Sequence, residues 1–260
     1  MRAPEPALVA FLAEEIARPV TPGAAAFAAD LAARPGIGAI LYYGSCLRRG
    51  TEEGMLDFYA LTEGPGAWGE APRLACWGRR LPPNVYPVAF GAMRAKVAVV
   101  PLDVFRDRMR PEGLDTTFWA RFCQRVALPT AKDEATRRAV AEALAAGVET
   151  AALWAARLAP EAEGAEAWRR LFAHTYRVEF RPERSGRGGE IVEDDPARWE
   201  RLWALTAPAR AAGRAEGSWP LRRHIGKAFH LARLAKAAFT FEGGPAYLLW
   251  KIRRHRKRAG

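Results

Sequence analysis

The 260-residue chain is half hydrophobic and carries nine tryptophans, enough apolar mass for one large folded domain or two small ones and too much for a disordered chain. Its formal charge is +11, and its three cysteines are widely spaced, which excludes a disulfide-framed secreted fold and a zinc-ligand spacing and points to a reducing, cytoplasmic setting. The charge is uneven: from Leu221 onward there are eleven Lys or Arg against the single acid Glu242, while the chain before it is nearly neutral at +1. No run approaches the roughly 20 apolar residues of a membrane span. The acids Glu5, Glu14 and Glu15 around the first apolar patch do not fit a secretory signal.

Residues 1–34 place Leu8, Phe11, Leu12, Ile16, Phe27 and Leu31 near a 3.6 period, which predicts two helices broken between Pro19 and Gly23. After Pro35-Gly36 the run Ile40-Leu41-Tyr42-Tyr43 ends in Gly44-Ser45. A polar segment with Gly50 and Gly54 follows, then the apolar run Met55-Leu56-Asp57-Phe58-Tyr59-Ala60-Leu61. This predicts strand, tight turn, short connection, second strand. Glycine lets a backbone approach a ligand closely, and the N–H groups beside it form an anion-binding concavity. Ser45 adds a hydroxyl. Asp57 is a lone acid in an apolar strand, costly to bury without a partner or a cation. A plain hairpin with a salt-bridged aspartate accounts for the same residues. Cys46 is weighed both as a nucleophile and as a buried, inert thiol.

A Gly/Pro-rich loop at residues 64–66 and a polar connection then lead to two further strands, Val85–Phe90 and Lys96–Leu102. Lys96, at the start of the second, either points a cation toward the edge that holds Ser45 or is an ordinary solvated lysine. Helical patterns carry Phe105 and Met109, then Phe118, Trp119 and Phe122, ending at Leu128-Pro129. An alanine-rich helix spans 132–158, with Val140, Leu144 and Val148 on its packed face. The stretch from Tyr176 to Arg184 is dense in Arg177, Arg181, Arg184 and Glu179, suited to a phosphate cradle or a surface ion-pair network. His174 could act as a base or simply pack. Asp194-Asp195-Pro196 opens another helix.

Leu221–Phe239 predicts an amphipathic helix. Ile225, Ala228, Ala232, Ala235 and Phe239 fall on one arc, and Arg222, Arg223, Lys227, His230 and Arg233 on the other. The end of the chain sets Tyr247, Leu248, Leu249 and Trp250 before Lys251, Arg253 and Arg254. Aromatics followed by clustered cations suit an anionic membrane surface, and a basic terminus also suits nucleic acid or simple solubility.

The blocks Tyr43-Gly44-Ser45, Met55-Leu56-Asp57-Phe58, Val85-Tyr86, Lys96–Val100, Tyr176–Arg181 and Tyr247–Ile252 together resemble the mitochondrial-type (translocator assembly and maintenance) phosphatidate cytidylyltransferases, within the nucleotidyltransferase superfamily. The resemblance spans roughly residues 40–255. It implies an α+β chain: a nucleotidyltransferase-like mixed or antiparallel sheet flanked by helices at 1–130, a helical domain at 131–240, and a basic membrane-contacting tail at 241–260. It implies transfer of CMP from CTP to phosphatidic acid with Mg2+, at the inner face of the cell membrane. Asp57 and Lys96 would be catalytic, Tyr43, Gly44 and Ser45 nucleotide-binding, and Arg177 and Arg181 phosphate-binding. Asp57 and Glu179 would ligate the metal, with Trp250, Lys251, Arg253 and Arg254 at the membrane. The superfamily usually has a second acid two residues on, where this chain has Tyr59, so Asp103 and Glu179 are the candidates for that ligand. Transfer to another small molecule or to RNA, and an inactive binding module, remain the alternatives.

Overall fold

The computed structural model describes residues 3–64, 66–176, 187–213, 215 and 217–240. In chain order its elements begin α1 (Pro6–Ile16), α2 (Pro22–Ala32), β1 (Ile37–Tyr43), α3 (Ser45–Arg49), β2 (Met55–Thr62), α4 (Pro72–Arg80), β3 (Asn84–Phe90) and β4 (Met93–Pro101). They continue α5 (Leu102–Arg108), α6 (Thr117–Phe122), β5 (Ala127–Ala131), α7 (Glu134–Leu158), α8 (Gly164–Tyr176), α9 (Arg187–Glu193), α10 (Pro196–Leu205), α11 (Ala207–Ala212) and α12 (Trp219–Thr240). The fold is mixed α+β, with one five-stranded sheet ordered β3-β4-β2-β1-β5. The chain divides into two compact units that interleave in sequence. One comprises Met1–Arg18, Phe105–Leu128 and Asp133–Lys227, and the other Pro19–Val104, Pro129–Lys132 and the chain from Ala228.

In the sheet unit, β1 and β2 pair antiparallel, β2 and β4 parallel, and β3 and β4 antiparallel. Successive side chains of a strand point to opposite faces, and the aromatic contacts identify those faces. Phe27 of α2 lies 5.5 Å from Phe58, and Phe58 lies 4.9 Å from Tyr42, so α2 covers the face that holds the even-numbered residues of β1 and β2. Tyr43 and Tyr59 meet at 5.4 Å on the other face, which is therefore also the face of Asp57.

Among the departures from the sequence expectation are three short elements. The polar segment after Ser45 winds into α3, and the connection before Pro82 contains α4, whose Gly78 packs on the Asn84 side chain. Ala127–Ala131, expected as the end of a helical stretch, is the edge strand β5; the backbone N–H of Lys132, just beyond it, donates to the carbonyl of Gly38. Each is too short for a hydrophobic period to register.

The other unit is a helical assembly around α7, which packs with α1, α6, α8 and α11. By length and composition α7 could cross a membrane, because alanine keeps it apolar without large side chains. Of its most apolar stretch 67% is buried in the protein, which makes it a core helix. Beside it a buried ion pair joins Glu15 of α1 to Arg198 of α10 through contacts of 2.6 and 2.9 Å, with Arg198 also donating to the Cys123 carbonyl.

α12 forms as expected, but part of its cationic arc turns inward. Arg222 is buried and donates to the carbonyls of Pro111 and Gly113. Farther along, Arg233 donates to the carbonyl of Pro82, and buried Lys236 to those of Leu81 and Pro83. Ala228, Leu231, Ala232 and Ala235 are exposed instead. Backbone carbonyls left over from loops at 81–83 and 111–113 need donors, and long cationic side chains reach them where alanines cannot.

Candidate functional site

The register of the sheet assembles the site. Tyr43 of β1 is opposite Asp57 of β2, Asp57 is aligned with Lys96 of β4, and Lys96 faces Pro87 of β3. Adjacent strands are about 4.8 Å apart and aligned residues share a face, so Tyr43, Asp57 and Lys96 form one row across three strands. Lys96 is solvent-exposed, whereas Tyr43 and Asp57 are half-buried.

The turn after β1 closes on this row. Gly44 has φ 92° and ψ −166°, a backbone conformation open only to glycine, and it precedes the first turn of α3. A Cβ at position 44 would stand 2.8 Å from Asp57 Oδ2 and 3.4 Å from Asp57 Cβ. The carboxylate thus rests directly against the bare Cα of Gly44, in the space a side chain would fill. Ser45 is the next residue, half-buried at the start of α3. Ser45, Arg48 and Arg49 share one side of that short helix by their spacing, and Arg49 Nε donates to the Ser45 carbonyl at 3.3 Å. Arg48 and Arg49 are exposed, adding cations beside the turn that the sequence reading did not single out. Their signal was present as two basic residues within one helical turn of Gly-Ser.

The connection between α3 and β2 is tied down by Glu52, whose Oε1 accepts the Gly23 N–H at 2.7 Å at the start of α2. Cys46 turns inward and its thiol donates to the carbonyls of Glu53 and Met55, both at 3.6 Å, which makes it a packing residue. Behind the row, Tyr42 is buried on the α2 face; burial first, and then the nearby Cys46, Asp57 and Glu52, push its phenol upward and keep it neutral. Tyr59, two residues beyond Asp57, is completely buried. A packed phenol ring therefore takes the place on this face where a second carboxylate would stand.

Asp103, considered as that second acid, lies elsewhere. It follows the far end of β4, more than about 15 Å beyond Lys96 at the rise of an extended strand. It is also engaged there by Arg79, at 3.1 and 2.5 Å, and this pairing holds its carboxyl below the usual range. Glu179, Arg177 and Arg181, and the tail residues Trp250, Lys251, Arg253 and Arg254, lie outside the described residues. His174 packs edge-on against Trp219, with ring centroids 6.1 Å apart.

Among the described residues no group of three His, Cys, Asp or Glu could by itself hold a metal ion. The oxygen donors at the row and its turn are the Asp57 carboxylate and the hydroxyls of Tyr43 and Ser45. They suit Mg2+, which keeps an octahedral oxygen shell and is commonly bound through one or two carboxylates together with substrate phosphates. The Asp57 carboxylate, packed against the bare Cα of Gly44, is the acid that would serve in that role.

No family model matches the sequence, and no curated protein matches it. Among solved structures, the chain is similar to a nucleotidyltransferase-like protein from Exiguobacterium sibiricum 255-15. The identity is 11%, the match covers 88% of this chain and 78% of that one, and the TM-score is 0.28. A likeness at that level carries no functional weight, so the reading below rests on the residues of this chain.

Proposed function

We propose that the protein is a nucleotidyltransferase, and more narrowly that it moves CMP from CTP to phosphatidic acid to give CDP-diacylglycerol and pyrophosphate. The observation that carries the proposal is the Asp57 carboxylate lying against Gly44 in a row with Lys96. A glycine turn, a hydroxyl, one carboxylate and several cations on a single sheet edge make a site for a polyphosphate. The reaction proposed asks for no nucleophile from the protein, since both reacting groups are substrates. The narrower reading, with CTP and a lipid acceptor, is supported by the order of the sequence blocks.

In this mechanism a phosphate oxygen of the acceptor attacks the α-phosphorus of CTP. The new P–O–P bond forms as the bridging bond between the α and β phosphates breaks, and pyrophosphate leaves. A phosphate monoester is already anionic at neutral pH, so no general base is required. Catalysis comes from positioning and from neutralising charge. The Gly44–Ser45 backbone cradles the triphosphate. Lys96 neutralises phosphate charge from β4, and Arg48 and Arg49 add to the field at the mouth of the turn. Asp57 and the Ser45 hydroxyl would hold Mg2+, which when bound screens the phosphate oxygens and acts as a Lewis acid.

The described half of the basic C-terminus contributes few free cations to a membrane surface, since Arg222, Arg233 and Lys236 are turned onto backbone carbonyls. Peripheral attachment to the inner face of the cell membrane would thus depend on Trp250, Lys251, Arg253 and Arg254, and acceptor binding on Arg177 and Arg181.

The test is pyrophosphate release by the purified chain with Mg2+, each of the four nucleoside triphosphates, and vesicles with or without phosphatidic acid. CTP with phosphatidic acid should be the productive pair, and Asp57→Ala should abolish release. Turnover indifferent to Asp57→Ala would remove the reading. Turnover with other acceptors alone would keep the transferase and discard the lipid.

A further inference from the structure

The helical unit holds a second feature, independent of the sheet site: a cavity of about 700 Å³. That volume is in the range of small-molecule sites. One wall is apolar, formed by Leu153 and Ala156 of α7 and by Pro160 beyond it. The small residues Gly213, Ala215 and Gly217 also line this open pocket.

Two arginines also line it, Arg157 of α7 and Arg210 of α11. Arg157 donates to the Ala215 carbonyl, and its guanidinium carbon lies 5.2 Å from the centre of the Trp154 ring. Arg210 donates through Nη1 to the Trp203 carbonyl at 2.6 Å and the Thr206 hydroxyl at 2.7 Å, with its guanidinium carbon 3.5 Å from the Trp203 ring centre. Among the described residues, then, every close partner of these two groups is a carbonyl, a hydroxyl or a ring, and none is a carboxylate. Each guanidinium has five N–H donors, and these contacts use one nitrogen of each. Burial holds Arg210 below its usual range, with Glu163 the acid that opposes the shift.

Each guanidinium lies over a tryptophan ring, and among the described residues neither is hydrogen-bonded to a carboxylate. Guanidinium groups held in this way beside apolar lining residues match a planar or tetrahedral oxyanion attached to an apolar body. We propose that this cavity is a binding site for a small amphiphilic organic anion, its carboxylate or phosphate head on Arg157 and Arg210 and its apolar body against Leu153, Ala156 and Pro160.

The full chain titrated calorimetrically with octyl phosphate, octanoate, inorganic phosphate and uncharged octyl glucoside, each below its micellar concentration, tests this. At least one octyl anion should bind saturably and at least ten-fold more tightly than inorganic phosphate or octyl glucoside. The two octyl arms separate a phosphate head from a carboxylate head. Arg157→Met, which removes a rim cation, and Ala156→Phe, which fills the cavity without touching charge, should each weaken binding ten-fold or more while circular dichroism stays native. Asp57→Ala should bind as the unmodified chain does, because Asp57 belongs to the sheet site. Absence of saturable binding by both octyl anions overturns the proposal, as does equal binding of octyl glucoside or inorganic phosphate. Unchanged affinity in both cavity variants, or loss of binding in Asp57→Ala, overturns it equally.

Discussion

Gly44→Ala isolates the contact on which the sheet site depends. The backbone at residue 44, with φ 92° and ψ −166°, is closed to side chains at a cost of about 1–3 kcal/mol. The added methyl would also stand 2.8 Å from Asp57 Oδ2, where ordinary contact begins near 3.4 Å, so the carboxylate has to shift by several tenths of an ångström. Sub-ångström displacement of a positioning group costs on the order of ten- to a hundred-fold in rate. Gly50→Ala is the control: its φ of 61° and ψ of 36° are left-handed, so alanine costs about 1–2 kcal/mol there, but nothing lies within 4 Å of its added methyl. Thermal unfolding should lower Tm for both variants, by roughly 2–4 °C per kcal/mol for a chain of this size. Pyrophosphate release should fall roughly ten- to a hundred-fold in Gly44→Ala only. Equal activity in the two alanine variants would show that the Gly44–Asp57 approach does not position the reacting groups.

Asp103→Asn should retain pyrophosphate release near the unmodified rate, since Asp103 is paired with Arg79 away from the row; loss of activity equal to that of Asp57→Ala would place it in the site. Glu15→Ala strands a buried Arg198 and should cost about 3–5 kcal/mol in urea unfolding, with Glu15→Leu/Arg198→Met recovering most of it. A double variant as unstable as the single one would refute this. Lys236 is held at about 8 against an ordinary 10.5, first by burial and then by Arg233. Between those values the folded chain binds fewer protons than the unfolded one, so stability rises with pH through that window, by up to about 3 kcal/mol. Urea unfolding at pH 7.5 and 10 should show this rise in the unmodified chain and lose it in Lys236→Met; parallel pH profiles would contradict it.

Local pattern carried much of the architecture. The alternation and apolar runs around Ile40, Phe58 and Val97, the proline breaks, and the 3.6 period of α7 are properties of neighbouring residues, so strands β1 to β4 and the long helices follow from them directly. The choice of Gly44, Ser45 and Asp57 as candidates was equally local, because a glycine at a strand end and an acid in an apolar strand are anomalies visible in one dimension. That Lys96 aligns with Asp57 was not visible, because a parallel pairing between strands some forty residues apart is set by the sheet as a whole. Nor could the sequence show that Tyr59 packs its ring where an acid was sought, or that Asp103 is claimed by Arg79. The inward turn of cations on α12 has the same origin. A cation on a helix reads as solvated until the tertiary structure brings unpaired loop carbonyls within reach of it, and only then do Arg222, Arg233 and Lys236 turn inward and leave alanines at the surface.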